Sequence, residues 1–274
     1  MMSVEEMKAL AKTCRYDAMK AIHVVGSGHP GGSLSATEIM IVLYNHVMRI
    51  DPKDPKMENR DKFLLSKGHA CPMLFAVLAH RGYFNIQEMY KLRQHDGLLQ
   101  GTTMPNIPGC ETVSGSLGQN LSVGIGTALA GRFHGLDYKT YVMVGDGELE
   151  EGQNWEAFML APKLQLGNLV CILDNNHVQM CGTTDEIVGL GDITAKIKAF
   201  GWNVIGVDGH NIEELIETFD SLDREATGTP TCIIADTVKG KGVSFMEGTA
   251  KWHGGAPNAE EMAQIEKELG GGTI

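Results

Sequence analysis

At 274 residues, with 43% hydrophobic and 21% charged side chains, the chain has the make-up of one large globular domain or two modest ones. A formal charge of -11 argues against non-specific nucleic-acid binding, and no apolar run of about 18 residues is present to span a membrane. The first residues lack the basic-then-apolar pattern of a secretory signal, and the six cysteines form no Cys-x-x-Cys pair, so a reducing cytoplasm is the expected compartment.

From Glu5 to Val25, apolar residues at Met7, Leu10, Ala11, Cys14, Ala18, Ala21, Ile22 and Val25 predict an amphipathic helix. The stretch Gly26-Ser27-Gly28-His29-Pro30-Gly31-Gly32 is expected to be irregular, because four glycines and a proline leave little propensity for either regular structure. Ser35 or Thr37 is placed to cap a next helix running through Glu38 to His46. Phe63-Leu64-Leu65-Ser66 reads as a short strand closed by Lys67-Gly68-His69, and Pro72 starts a helix to about Gly82. Residues 95–118 read as loop. Leu121 to Gly131 is rich in small residues and predicts a closely packed helix.

Thr140-Tyr141-Val142-Met143-Val144 reads as a buried strand, followed by Gly145-Asp146-Gly147 and a helix from Glu150 to Leu160. Leu169-Val170-Cys171-Ile172-Leu173 reads as another strand, ending on Asp174-Asn175-Asn176. Strands at Asn203–Val207 and Thr231–Ala235 flank a helix from Ile212 to Leu222. The alternation predicts an α/β fold: a doubly wound, mostly parallel sheet flanked by helices. Residues 1–274 are expected to form a single domain, with a C-terminal surface tail from about residue 255 that carries a helix and a Gly-rich end.

Asp146 and Asn176 thus sit thirty positions apart, each at a strand's C-terminal end, where open α/β sheets place ligands. One charged and one neutral oxygen suit Mg²⁺, which takes few protein ligands and completes its shell with phosphate oxygens and water. A backbone carbonyl near Val178 could complete the set. Taken singly, each motif reads as an ordinary turn; taken together they predict a diphosphate and magnesium site. Gly145 and Gly147 allow the backbone to approach a diphosphate closely.

The run Gly145-Asp146-Gly147-Glu148-Leu149-Glu150-Glu151-Gly152-Gln153-Asn154-Trp155-Glu156-Ala157, with Asn175-Asn176, resembles the thiamine-diphosphate motif of transketolases. Ser27-Gly28-His29-Pro30-Gly31, Leu65-Ser66-Lys67-Gly68-His69-Ala70, Gly115-Ser116-Leu117-Gly118-Gln119 and Lys239-Gly240-Lys241-Gly242-Val243 resemble the same family, in order, across nearly the whole chain. The resemblance implies the diphosphate-binding domain alone, as in the N-terminal subunit of a split transketolase. With its partner, such a subunit transfers a two-carbon ketol unit from a ketose to an aldose, using thiamine diphosphate and Mg²⁺ (with Ca²⁺ or Mn²⁺ as substitutes). The implied partner is a C-terminal subunit carrying the pyrimidine-binding domain, in an α2β2 assembly acting on sugars or sugar phosphates.

By the same resemblance, His29, His69 and His253 are the active-site histidines, with Glu151 and Glu156 in an acidic network between cofactors. Asp146, Asn176 and Val178 hold the metal. His69, Gly115, Ser116, Leu117, Gly145, Asp146, Gly147, Glu148, Asn176 and His253 contact the cofactor. Lys239 and Lys241 either lend positive charge to the site or belong to a solvated loop. His23, His46, His80, His134 and His210 read as structural or surface, and His177 is left unassigned.

Two departures stand out. Where the family reads Gly-His-Pro this chain has Gly101-Thr102-Thr103, and where it reads Leu-Gly-Gln-Gly this chain has Asn120, a residue that tolerates positive φ. With His29, Thr102 and Asn120 are the candidate substrate residues, and they imply a non-standard sugar. Two competing readings are the α subunit of a 2-oxoacid dehydrogenase and a non-catalytic binding subunit.

Overall fold

The computed structural model describes residues 2–222 and 228–272. Five strands, β1 (Lys62–Leu65), β2 (Thr140–Gly145), β3 (Leu169–Asn175), β4 (Asn203–Asp208) and β5 (Thr231–Asp236), form one sheet in the order β1-β2-β3-β5-β4. All four pairings are parallel, so the expected doubly wound architecture is present. The central strands are covered on both faces, which is why β2 and β3 read as nearly continuous apolar runs rather than as an alternation. Tyr141, Met143, Val170, Ile172 and Ile233 point to one core. Val142, Val144, Leu169, Cys171 and Cys232 point to the other.

The first core is roofed by α1 (Val4–Val25), α3 (Thr37–Val42), α4 (Cys71–Arg81), α9 (Ile212–Asp220) and α10 (Ala259–Leu269). The second is roofed by α5 (Asn120–Phe133), α6 (Gly152–Lys163) and α8 (Ile193–Ala199). α1 starts with a capping box between Ser3 and Glu6 and ends on Gly26 in the left-handed region, as helices with a C-terminal glycine commonly do. In the region read as a tail, α10 buries Met262, Ile265 and Leu269 in the core beside α1. The Gly-rich end is described as far as Gly272; Thr273 and Ile274 lie outside the described residues.

Three local expectations are corrected. Pro30, Gly31 and Gly32 are not irregular: they open a short helix, α2 (Pro30–Ser35), in which Pro30 takes the first position, where its missing N–H costs nothing. Neither Ser35 nor Thr37 caps α3, whose N-cap is Ala36. The Ser35 hydroxyl instead donates to Asp174 Oδ2 at 2.6 Å, and Thr37 bonds back to the Leu34 carbonyl at 2.9 Å. Asn120 does not occupy a positive-φ position; it is the first residue of α5, and Gly118 takes the left-handed backbone at φ +82°. Among the described residues, no helix is long and apolar enough to cross a membrane.

Candidate active site

The C-terminal ends of β2 and β3 open onto a cavity of about 300 Å³. Its lining includes Asp146, Asn176, Val178, His69, His253 and Lys239. The parallel register sets Gly145 beside Asp174, so the chain turns off both strands at the same level. Asp146 follows Gly145 directly and is nearly fully buried. Its Oδ1 accepts the Gly147 N–H at 2.8 Å, and its Oδ2 accepts the N–H of His177. His177 holds a left-handed backbone, φ +63°. Burial, followed by the nearby charge of Asp174, pushes the Asp146 carboxyl up to about 6 despite those two N–H bonds. A carboxylate so placed favours a cation beside it.

Such a cation already stands there. Lys239 is buried, and its Nζ donates to the Val178 carbonyl at 2.7 Å and lies 3.0 Å from Nδ1 of His253. Burial and the charge of Lys67 pull Lys239 down to about 8. The ammonium therefore occupies one of the three oxygens expected to hold a metal, while Asn176 Oδ1 accepts only the Val178 N–H at 3.2 Å. An anionic oxygen, an amide oxygen and a carbonyl that already attracts a cation fit Mg²⁺, which keeps its other positions for phosphate and water.

Below this layer lies an ion pair that sequence reading did not anticipate. Lys67 and Asp174 are fully buried and in direct contact. Lys67 also donates to the Gly32 carbonyl at 2.8 Å, while Ser35 and Thr237 donate to Asp174. Burial alone would raise the Asp174 carboxyl, but Lys67 and these donors hold it below its ordinary value. The pair ties α2, the β1 end, β3 and β5 together. Its partners are 107 positions apart, beyond the reach of any local pattern.

The three predicted histidines come together. Ring centroids lie 5.3 Å apart for His29 and His69, 5.7 Å for His29 and His253, and 5.0 Å for His69 and His253. His69 and His253 line the cavity, and His29 packs edge-on against both. Burial and neighbouring positive charge depress all three: His69 falls well below its ordinary value, His253 to about 4, and His29 in the same direction. They are neutral at pH 7 and so able both to donate and to accept a proton. Nδ1 of His29 is buried without a hydrogen-bond partner among the described residues.

Glu148 holds the surrounding loops. Its Oε1 accepts the Gly118 N–H at 2.9 Å and the Ser66 hydroxyl, and its Oε2 accepts the Gly145 N–H at 3.0 Å. Gly118 then lies so close to Glu151 that a Cβ there would sit 2.6 Å from the Glu151 Cβ. Leu117 and Glu151 reach the cavity, whereas Gly115 and Ser116 are exposed outside its lining.

Glu156 lies further along α6, exposed and outside the cavity. Thr102 does not line it either; its Cγ2 packs against Gly115. Asn120 is buried and its amide reaches the Val113 carbonyl at 3.4 Å. Lys241 is half exposed and faces Glu247 at 3.9 Å, so of the two lysines only Lys239 belongs to the site. Gly32, Lys67, Glu150, Gln179 and Met180 also line the cavity and were not singled out from sequence.

A family model described as "Transketolase, thiamine diphosphate binding domain" matches residues 6–272. An apulose-4-phosphate transketolase subunit from Phocaeicola vulgatus is 39% identical over 268 residues, covering 98% of this chain and 95% of that protein. A 6-deoxy-6-sulfo-D-fructose transketolase subunit from a Clostridium species is 39% identical over 269 residues, covering 96% and 97%. Human transketolase is also 39% identical, over 97% of this chain but only 42% of its own length. Among solved structures, transketolase from Campylobacter jejuni superposes with a TM-score of 0.92 at 29% identity, covering all of this chain and 44% of that one. A Pichia stipitis transketolase variant superposes with a TM-score of 0.91 at 34% identity, covering 99% and 41%. The chain therefore spans about two-fifths of the length of these solved transketolases.

Proposed function

The chain belongs to the transketolase family, and from that premise we propose that it is the cofactor-binding subunit of a split transketolase with a non-standard sugar as substrate. The observation that carries this reading is the convergence of Asp146, Asn176 and the Val178 carbonyl on one cavity, with Lys239 already set on that carbonyl. Two relatives matched almost end to end are subunits named for apulose 4-phosphate and 6-deoxy-6-sulfofructose. The 2-oxoacid dehydrogenase alternative is set aside by the family match.

Thiamine diphosphate, when bound, supplies the electron sink for cleaving a ketose carbon–carbon bond. The chain's own residues do the rest. Asp146, Asn176 and Val178 hold the divalent ion. Lys239 and the neutral His69 and His253 meet the diphosphate end. His29, whose Nδ1 has no hydrogen-bond partner among the described residues, is the imidazole left free to exchange a proton. Glu148 and Gly118 set the loop carrying Gly115, Ser116 and Leu117, which forms the cavity's outer edge. Residues 1–274 act as one diphosphate-binding domain.

The partner in this reading is a C-terminal subunit bearing the pyrimidine domain, in a cytoplasmic assembly of two and two. An apolar surface supports it: α5 and α6 pack together and leave Val123, Phe133, Met159 and Leu160 exposed, Phe133 by 87%. The test is reconstitution with the pyrimidine-domain chain, followed by steady-state assay over a panel of ketoses. Equal or better kcat/KM with xylulose 5-phosphate than with any unusual ketose would sink the substrate assignment. Asp146→Ala abolishes Mg²⁺-dependent cofactor binding, and full activity in that variant would overturn the metal assignment.

A further inference from the structure

The reach of Lys239 to Val178 and His253 depends on how the backbone around it is held, and its own carbonyl accepts the Gly248 N–H at 2.9 Å. The sheet does not fix that backbone: the ladder runs out at Asp236, with the Thr237 N–H on the Asn175 carbonyl. On one side, the Gly240 N–H donates to the Gly31 carbonyl at 3.0 Å. On the other, the Val238 N–H donates to Nε2 of His210 at 2.8 Å. His210 lies beyond β4, just before α9, and its ring is largely buried. Its Nδ1 faces Glu38 Oε2 at 2.9 Å, and Arg15 grips both oxygens of Glu38 at 2.6 and 2.7 Å.

This chain of contacts leaves the imidazole one arrangement. A nitrogen that accepts from a backbone amide carries no proton, so the ring's proton is on Nδ1, where a carboxylate receives it. Glu38 stays ionised to do so: burial would raise its carboxyl, but Arg15 and His210 bring it down to about 2.

We propose that His210 is a positioning residue for the cofactor site. It fixes the Val238 backbone and so the reach of Lys239, while Arg15 and Glu38 hold its tautomer. The proposal rests on the cavity being the thiamine diphosphate site, and it assigns to His210 a part that its sequence context did not indicate.

The test compares the wild-type chain, reconstituted with the pyrimidine-domain subunit, with His210→Leu, which removes the acceptor, and His210→Gln, which returns an oxygen at the same reach. Three quantities are read: amide hydrogen exchange at Val238, thiamine diphosphate affinity with Mg²⁺ by calorimetry, and Tm. His210→Leu speeds exchange at Val238 and weakens cofactor binding by about tenfold, the value of one buried hydrogen bond. His210→Gln restores affinity to within about threefold of wild type, whatever its Tm. Unchanged exchange and affinity in His210→Leu would overturn the proposal. So would equal losses in both variants that simply track Tm, the mark of a filler side chain. If the wild-type chain reconstituted with the pyrimidine-domain subunit binds no thiamine diphosphate, the functional reading fails instead, and the exchange at Val238 still decides what His210 does.

Discussion

Replacing Gly118 by alanine tests how the cofactor loop is held. At φ +82°, an L-residue costs roughly 1–2 kcal/mol. The new Cβ would lie 2.6 Å from the Glu151 Cβ, which caps α6 and cannot swing away without moving that helix end. Overpacking of this kind costs about 1–3 kcal/mol. A total near 3 kcal/mol follows, and an unfolding entropy of about 2.1 cal/mol/K per residue turns that into a Tm loss of about 5 °C for a 274-residue chain. Because Glu151 lines the cavity, cofactor affinity falls as well. Gly126→Ala is the control: it lies within α5 with nothing within 4 Å of its added Cβ, so it is expected to stabilise the chain by about 0.5–1 kcal/mol. Differential scanning calorimetry on both variants decides the matter. A Gly118→Ala chain melting within a degree of wild type, with unaltered cofactor affinity, would refute the close packing of Gly118 on Glu151.

Only the ionised form of Asp146 can ligate a metal. Its carboxyl is pushed up to about 6, so Mg²⁺-dependent cofactor affinity drops about tenfold per unit below that pH. Calorimetry from pH 8 to 5 checks this, and an affinity equal at pH 7 and 5 would contradict it. The histidine cluster has the opposite sign of effect from a paired histidine. The folded-state value of His69 lies well below its ordinary 6.5, so below that pH the unfolded chain binds the extra proton and stability drains as pH falls. His69→Gln, which cannot titrate, should flatten the slope of unfolding free energy below pH 6.5 by up to about 1.4 kcal/mol per pH unit. Urea melts across that range measure it, and identical slopes would show that His69 is not held neutral.

The sheet and the place of Asp146 and Asn176 in it were legible because each depends on local pattern. A run of apolar residues ending on a polar one is enough to place Asp146 and Asn176 at strand ends; that the two strands are neighbours is a property of the fold. The three histidines were legible only through motif resemblance, since nothing in their spacing says that His29, His69 and His253 meet. Propensity misled at Pro30-Gly31-Gly32. The helix there is held by packing: a Cβ on Gly31 would sit 2.8 Å from the Trp252 carbonyl. The Lys67–Asp174 pair and the path from Arg15 to Val238 join segments far apart in sequence. Burial decides what they do, and burial is a property of the fold. Asn120 shows how backbone strain can be assigned to the wrong neighbour: the left-handed turn belongs to Gly118, and the helix begins at Asn120 itself.

The in-step rows of the sheet have a consequence for how such a chain can change over time. Gly145, Asp174 and Ala235 share one row across β2, β3 and β5. A single-residue insertion within β3 would turn Asp174 from Lys67 to the opposite face, since side chains alternate along a strand. The strand ends therefore tolerate neither insertion nor deletion. Thr102 and Gly115 lie on irregular backbone between elements, off that row. A change of loop length there would leave the row in register, whereas a change at a strand end would not.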